Sequence, residues 1–312
     1  MVFVLWILLG LLVMILCSGA YIFILACVRR KELPWMVEEE IKKTNYGKYY
    51  DCIIASDAWL KAHKAQDVYV TSDDGLKLHA YWIPAENPRG TILLAHGYRS
   101  TMLVDFGLAY AFYHALGMNI LVPHQRAHGE SEGRYITFGV KESEDFMRWI
   151  QFHNETFGPH QMILSGMSMG ASTVLYLADR ELPTNVKCII ADCGFTSPRA
   201  ILEKVYRGVT HLPAGPSLWA ANIFTMIFAG FRLSEKDTTK VLRNAKLPVF
   251  LVHGKADDFV PCTMSEQGFE ACSGEKEILL VEGAGHGVSF LVDKKAYTDR
   301  VIAFLERHLE DF

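Results

Sequence analysis

A mainly parallel α/β sheet covered by helices on both faces is the fold class this sequence predicts. Three observations predict it. Short apolar runs recur along the chain, each followed by a helical stretch, which is the pattern of βα units. The runs are apolar throughout rather than alternating, as strands buried on both faces must be. The chain has 312 residues, 50% of them hydrophobic and 21% charged, enough to bury the core of one large domain.

The first 28 residues hold no charged side chain. As a helix they would extend roughly 42 Å at about 1.5 Å per residue, against a hydrocarbon core of about 30 Å. Residues 1–28 are therefore read as a retained transmembrane anchor. A cleaved signal peptide would begin with basic residues and carry a shorter apolar core. Ile24-Leu25-Ala26-Cys27 loosely suggests a lipid-attachment site, but Arg29 is the first basic residue. Arg29, Arg30 and Lys31 follow the apolar run directly, so the positive-inside rule puts the rest of the chain on the cytoplasmic side. Residues 29–66 read as a polar, partly helical juxtamembrane connection. Its Trp35, Ile41, Tyr49 and Tyr50 are suited to rest on the membrane surface or on the domain, and the acidic cluster Glu38-Glu39-Glu40 lies between them.

The domain itself is expected over 67–312. Val68, Val70, Leu76, Leu78, Ala80 and Trp82 alternate with polar residues around the turn Asp73-Asp74-Gly75, an antiparallel hairpin. Strands near 91–95, 119–122, 162–165, 186–191, 248–252 and 277–281 then alternate with helices near 103–116, 141–153, 171–179, 264–272 and 294–309. Between about 197 and 245 the alternation fails. This stretch holds a segment, Leu218 to Phe228, that is apolar nearly all round a helix, and such a helix must be buried or lie over something greasy. It is read as a small helical cap over the active site, the alternative being an ordinary packing helix.

The chemistry centres on Gly166-Met167-Ser168-Met169-Gly170, which stands between an apolar strand and a helix. Gly-x-Ser-x-Gly in that context forms a nucleophile elbow, a turn so tight that the Ser is strained and its neighbours two positions away must lack a Cβ. A serine hydroxyl needs a base, and the base needs a carboxylate to fix its tautomer. Among 12 histidines, His286 lies in the glycine-rich loop Glu282-Gly283-Ala284-Gly285-His286-Gly287 after the last strand. The preceding strand runs into His253-Gly254-Lys255-Ala256-Asp257-Asp258, where Asp257 is the chosen acid and Asp258 the alternate. Backbone N–H groups must receive the oxyanion. Met169, next after the nucleophile, is one donor, and Tyr98 in the loop His96-Gly97-Tyr98-Arg99-Ser100 is the other. His96 is read as a buried imidazole bracing that loop.

With these residues in place the chain resembles α/β-hydrolase-fold serine hydrolases. It is similar, more narrowly, to bacterial membrane-anchored Bem46-like and prolyl-oligopeptidase-related esterases. The resemblance runs from about Asp67 to the C-terminus and rests on His96-Gly97, the Gly-x-Ser-x-Gly elbow, His253-Gly254 with Asp257, and Gly285-His286. It also takes in Arg126-Ala127-His128-Gly129-Glu130-Ser131-Glu132-Gly133, where many relatives carry Asp two residues before the Arg and this chain has His124. The resemblance implies a serine hydrolase that cleaves an acyl ester through an acyl-enzyme and needs no cofactor or metal. An amidase, peptidase or thioesterase would use the same residues, and a non-catalytic membrane scaffold is the reading from another class. The anchor and apolar cap favour an amphiphilic substrate. A net charge of −4 with no basic stripe gives no footprint for a nucleic-acid partner. The seven cysteines show neither zinc nor disulfide spacing and read mostly as small buried hydrophobes.

Overall fold

A computed structural model describes residues 1–30, 41–43, 46–63 and 65–312. Lys31, Trp35 and the acidic cluster Glu38 to Glu40 lie outside the described residues. The helix α1, Val2–Cys27, is followed by α2, Tyr50–Ala62. The hairpin strands β1, Gln66–Thr71, and β2, Lys77–Ile83, come next, then β3, Gly90–Ala95, α3, Met102–Ala115, and β4, Met118–Pro123. After α4, Val140–Phe157, come β5, Met162–Met167, α5, Met169–Leu175, and β6, Val186–Asp192. Three helices follow: α6, Pro198–Thr210, α7, Gly215–Phe224, with a π turn at Thr225–Ala229, and α8, Thr238–Leu242. The chain closes with β7, Val249–Gly254, α9, Thr263–Ala271, β8, Lys276–Val281, α10, Ser289–Val292, and α11, Lys294–His308.

The strands form one sheet in the order β1-β2-β4-β3-β5-β6-β7-β8. β1 and β2 pair antiparallel, β2 meets β4 antiparallel, and every later pairing is parallel. Every residue of β3, β4, β5 and β7 is buried, which is why these strands read as unbroken apolar runs. One face is covered by α3 and α11, through residues such as Phe106, Tyr110, Val301 and Phe304. The other is covered by α4 and α5, through Phe146, Trp149, Ile150 and Val174. The i, i+3, i+4 spacing of the three α4 residues puts them on one stripe, and burying each is worth roughly 1.5–3 kcal/mol.

The register positions the site. Ala95 pairs with Gly166, Met167 with Asp192, Asp192 with Val252, and Gly254 with Val281. The carboxyl ends of β3, β5, β6, β7 and β8 therefore stand in a row, and the loops holding residues 96–100, 168, 193, 257 and 286 leave the sheet along one rim.

No strand occurs between β6 and β7 among the described residues. The apolar segment there is helical, as its composition requires, and its burial is one-sided. Leu218, Ala220 and Ala221 are buried, whereas Trp219, Ile227 and Phe228 are 54%, 68% and 53% exposed. Its inner face packs with Met169, Val260, Ile201 and Leu202 in a third apolar cluster, which also takes in Phe23 and Cys27 of α1.

Candidate active site

Ser168 sits between the last residue of β5 and the first of α5, with φ +55° and ψ −115°. That strained conformation is held because the turn has no room to relax. A Cβ on Gly170 would overlap the Ala95 carbonyl, and one on Gly166 would overlap the backbone of Gly170. The two glycines are thus required by contact with main chain, which cannot move aside.

His286 bridges the other two residues. Its Nε2 lies 2.9 Å from Ser168 Oγ, and its Nδ1 lies 2.7 Å from Asp257 Oδ2. The carboxylate selects the tautomer in which Nδ1 carries the proton and Nε2 accepts from the serine. Asp257 is fixed in turn. Its Oδ1 accepts from the backbone N–H groups of Phe259 at 2.9 Å and Val260 at 2.8 Å, and its Oδ2 lies 3.2 Å from His253 Nε2. Burial works against its ionisation, but hydrogen bonds from His253 and His286 and the charge of His286 outweigh it and hold the carboxyl well below the usual carboxylate range. Asp258, the alternate acid, is exposed, and no hydrogen bond joins its carboxylate to His286 among the described residues.

Met169 is the first residue of α5, where helix geometry leaves the N–H without an intrahelical acceptor. The loop carrying Tyr98 passes close to the nucleophile: a Cβ on Gly97 would stand 3.3 Å from Ser168 Cβ. That loop is pinned on both sides of Tyr98. Gly97 N–H donates to Asp105 Oδ2 at 2.5 Å, and Arg99 N–H donates to His128 Nε2 at 3.0 Å. His96 braces it from beneath. Its Nδ1 lies 2.8 Å from the Gly97 carbonyl, and its Nε2 accepts from Gln125 N–H at 3.0 Å. Burial and the neighbouring His128 push the His96 pKa down to about 3, so the ring is neutral and able to accept. The Tyr98 side chain leaves the site altogether: its hydroxyl donates to the Ala26 carbonyl of α1 at 2.8 Å, and its ring stacks on Phe138.

Sequence reasoning missed several supports. Asp105 anchors the loop through Gly97 and through Ser100 Oγ at 2.5 Å. Burial raises its carboxyl to about 6, against the pull of those two hydrogen bonds. It lies inside a helix with nothing in its spacing to mark it. His253 stands behind Asp257, with Nδ1 2.6 Å from Ser265 Oγ and Nε2 2.9 Å from the Val260 carbonyl. The sequence marked it only through the His253-Gly254 motif, not as a partner of the acid. Cys193, left-handed at φ +50° and fully buried, has its sulfur grouped with donor atoms of Asp257 and His286 within 4.8 Å. Both imidazole nitrogens are already hydrogen-bonded there, and burial drives the thiol far up in pKa. Phe259 packs edge-on against His286, with ring centroids 5.1 Å apart.

His124, where relatives carry Asp, keeps its loop bonded by other means. Its Nδ1 lies 3.0 Å from His79 Nδ1, and the far side of that ring lies 2.9 Å from Asp67. Arg126 is held bidentate by Asp145 at 2.6 and 2.7 Å, with Asp74 at 2.8 Å.

Comparison with known proteins agrees with this architecture. A family model described as alpha/beta hydrolase fold matches residues 90–226. The chain has the α/β-hydrolase fold. The uncharacterized protein YqkD of Bacillus subtilis is 28% identical over 238 residues, covering 76% of this chain and 78% of that one. Protein bem46 of Schizosaccharomyces pombe is 25% identical over 208 residues, 65% of this chain and 64% of its own. Among solved structures, the Pyrococcus furiosus esterase Pf2001 superposes with a TM-score of 0.65 at 24% identity, over 80% of this chain and 94% of the esterase. In this α/β-hydrolase fold the sheet rim described above is the edge where catalytic loops gather.

Proposed function

We propose that this protein is a membrane-anchored serine hydrolase that cleaves an acyl ester. The observation that carries the reading is His286 within hydrogen-bond reach of both Ser168 and Asp257, on an elbow whose serine is strained. In the proposed cycle, Ser168 Oγ attacks the ester carbonyl while His286 Nε2 takes its proton. The tetrahedral oxyanion is received by the N–H groups of Tyr98 and Met169, and removing one such donor costs about 3 kcal/mol. His286 then gives the proton to the departing alcohol. Water, activated by the same ring, releases the acid from the acyl-serine. Asp257 stays ionised throughout and stabilises the imidazolium.

Retention of α1 as the anchor is supported by what its C-terminal turns touch. Val28 bridges to Tyr135, Ile136 N–H donates to the Cys27 carbonyl at 2.7 Å, and Ser18 Oγ donates to Ser217 Oγ at 2.6 Å. A leader that is removed has no reason to be built into the domain. By the positive-inside rule Arg29, Arg30 and Lys31 favour the cytoplasmic side for the domain, and a membrane-impermeant thiol reagent that modifies Cys52 in intact cells would reverse that reading.

A fluorophosphonate probe tests the chemistry. Wild type is expected to be labelled and Ser168→Ala unlabelled. A series of p-nitrophenyl esters of increasing acyl length then ranks substrates, with medium or long chains preferred. Absence of Ser168-dependent labelling, or a flat profile at background, would reject the esterase reading.

A further inference from the structure

Ser18 and Gly19 of α1 lie directly on the cap. Ser18 pairs with Ser217, and a Cβ on Gly19 would overlap Ala220. Ser18 lies about 14 Å inside the C-terminal end of α1 at 1.5 Å per residue, and Arg29 and Arg30 mark the headgroup side just beyond that end. If α1 spans a bilayer, its cap-contacting turn is therefore at membrane depth, and the cap is carried there with it. The exposed Trp219, Ile227 and Phe228 then face lipid, which accounts for large apolar side chains left uncovered on the cap.

Between α1 and the cap lies a groove of about 600 Å³. Phe23 and Ile24 from α1 and Phe224 and Phe228 from the cap form its apolar wall, and the Phe23 ring lies 6.3 Å from Phe224 and 5.8 Å from Phe228. Its rim holds Arg29, Arg30 and Arg134. The three are brought together because Arg29 N–H donates to the Arg134 carbonyl at 2.8 Å beside the Val28–Tyr135 bridge. Arg29 is occupied, donating to the Ser131 and Gly129 carbonyls at 2.7 and 2.5 Å. Arg30 and Arg134 are exposed and have no carboxylate partner among the described residues. Charge and greasiness are thus ordered along the groove as they are along a lipid: apolar beside the span, cationic about one to two turns further out, at headgroup height.

We propose that this groove binds an anionic phospholipid of the surrounding bilayer, its phosphate held by Arg30 and Arg134 and its acyl chain lying against Phe23, Ile24, Phe224 and Phe228. The inference rests on α1 being retained as a membrane span, and it does not depend on the hydrolytic reaction.

The test uses the full chain in phosphatidylcholine nanodiscs doped with an ether-linked phosphatidylglycerol bearing a diazirine on its chain, or with the matching phosphatidylcholine probe. The expected result is photo-adducts concentrated on the peptides holding Phe23–Ile24 and Phe224–Phe228. The double variant Arg30→Gln/Arg134→Gln should lose them by about fivefold or more with the anionic probe and remain unchanged with the zwitterionic one. Adducts spread evenly along α1, equal labelling by both probes, or a double variant indistinguishable from wild type would each overturn the proposal. Mature protein lacking residues 1–27 by intact mass would overturn it together with the anchor. Failure of fluorophosphonate labelling with the adduct pattern intact would overturn the esterase reading and leave this site standing.

Discussion

The sheet rim and the face shared by α1 and the cap lie side by side and are held by different forces. At the rim the working groups are joined by directional bonds: His286 has Ser168 and Asp257, and Asp257 has His253, Phe259 N–H and Val260 N–H besides. At the anchor–cap face, contact is made by Gly19 on Ala220 and by the rings of Phe23, Phe224 and Phe228, with the Ser18–Ser217 bond as a polar addition. Directional bonds fix atoms, as a reaction needs, while apolar packing fixes a surface and leaves its outer side free for a fluid neighbour. Damage at the rim should therefore abolish chemistry with the fold intact, and damage at the anchor–cap face should graduate it.

The largest effect tests the rim. Ser168→Ala should lower kcat/KM for a p-nitrophenyl ester by a factor on the order of 10⁴ or more, with thermal unfolding little changed, because alanine keeps the Cβ and the strained backbone at φ +55°. Asp257→Asn should come close to that loss, since His286 would be held in the wrong tautomer. Gly170→Ala breaks the rim in another way. Its Cβ has no space against the Ala95 carbonyl, so the variant should fail to accumulate as folded protein, read by solubility and circular dichroism. Retained activity in that variant would show the elbow to be looser than its contacts imply.

A smaller effect probes the other side. Gly19→Leu should push α1 off Ala220 and lower the rate by a few-fold, about 1 kcal/mol, through the lost Ala26–Tyr98 hydrogen bond. Resistance to alkaline carbonate extraction should be unchanged. A loss as large as that of Ser168→Ala would erase the distinction between the two regions.

The last test leaves the rate unaffected and reads stability against pH. Burial, with the neighbouring His96 and His79 rings and the Arg29 guanidinium, pushes His124 down to about 3. A depressed histidine gives stability that is fully present above its unfolded pKa, near 6.5, and is lost as pH falls through the window down to the folded value. The stability advantage of wild type over His124→Asn should therefore shrink below pH 6.5 by up to about 1.4 kcal/mol per unit, measured by denaturant unfolding at several pH values. An advantage constant from pH 7 to 5 would contradict the lowered pKa of His124.

Much of the fold was legible because parallel strands buried on both faces leave apolar runs, and the elbow was legible because its glycines answer main-chain contacts that allow nothing else. His286 and Asp257 could be sought because they lie on strand-end loops. Asp105 could not be found this way, since a carboxylate in a helix shows no period or motif until Gly97 turns up beside it. Which face of the cap would be covered could not be read for a related reason. Hydropathy records that Trp219, Ile227 and Phe228 avoid water, but not whether protein or lipid is what covers them.

The bond from Tyr98 to Ala26, with the one from Arg99 to the Val28 carbonyl at 2.9 Å, has a practical consequence. Cutting away the greasy N-terminus to obtain a well-behaved preparation would remove the partner of the tyrosine and leave the arginine's partner at a frayed chain end. Rates measured on such a shortened enzyme would describe a slackened catalyst, and the full-length protein in lipid is the one whose kinetics should be taken as reference.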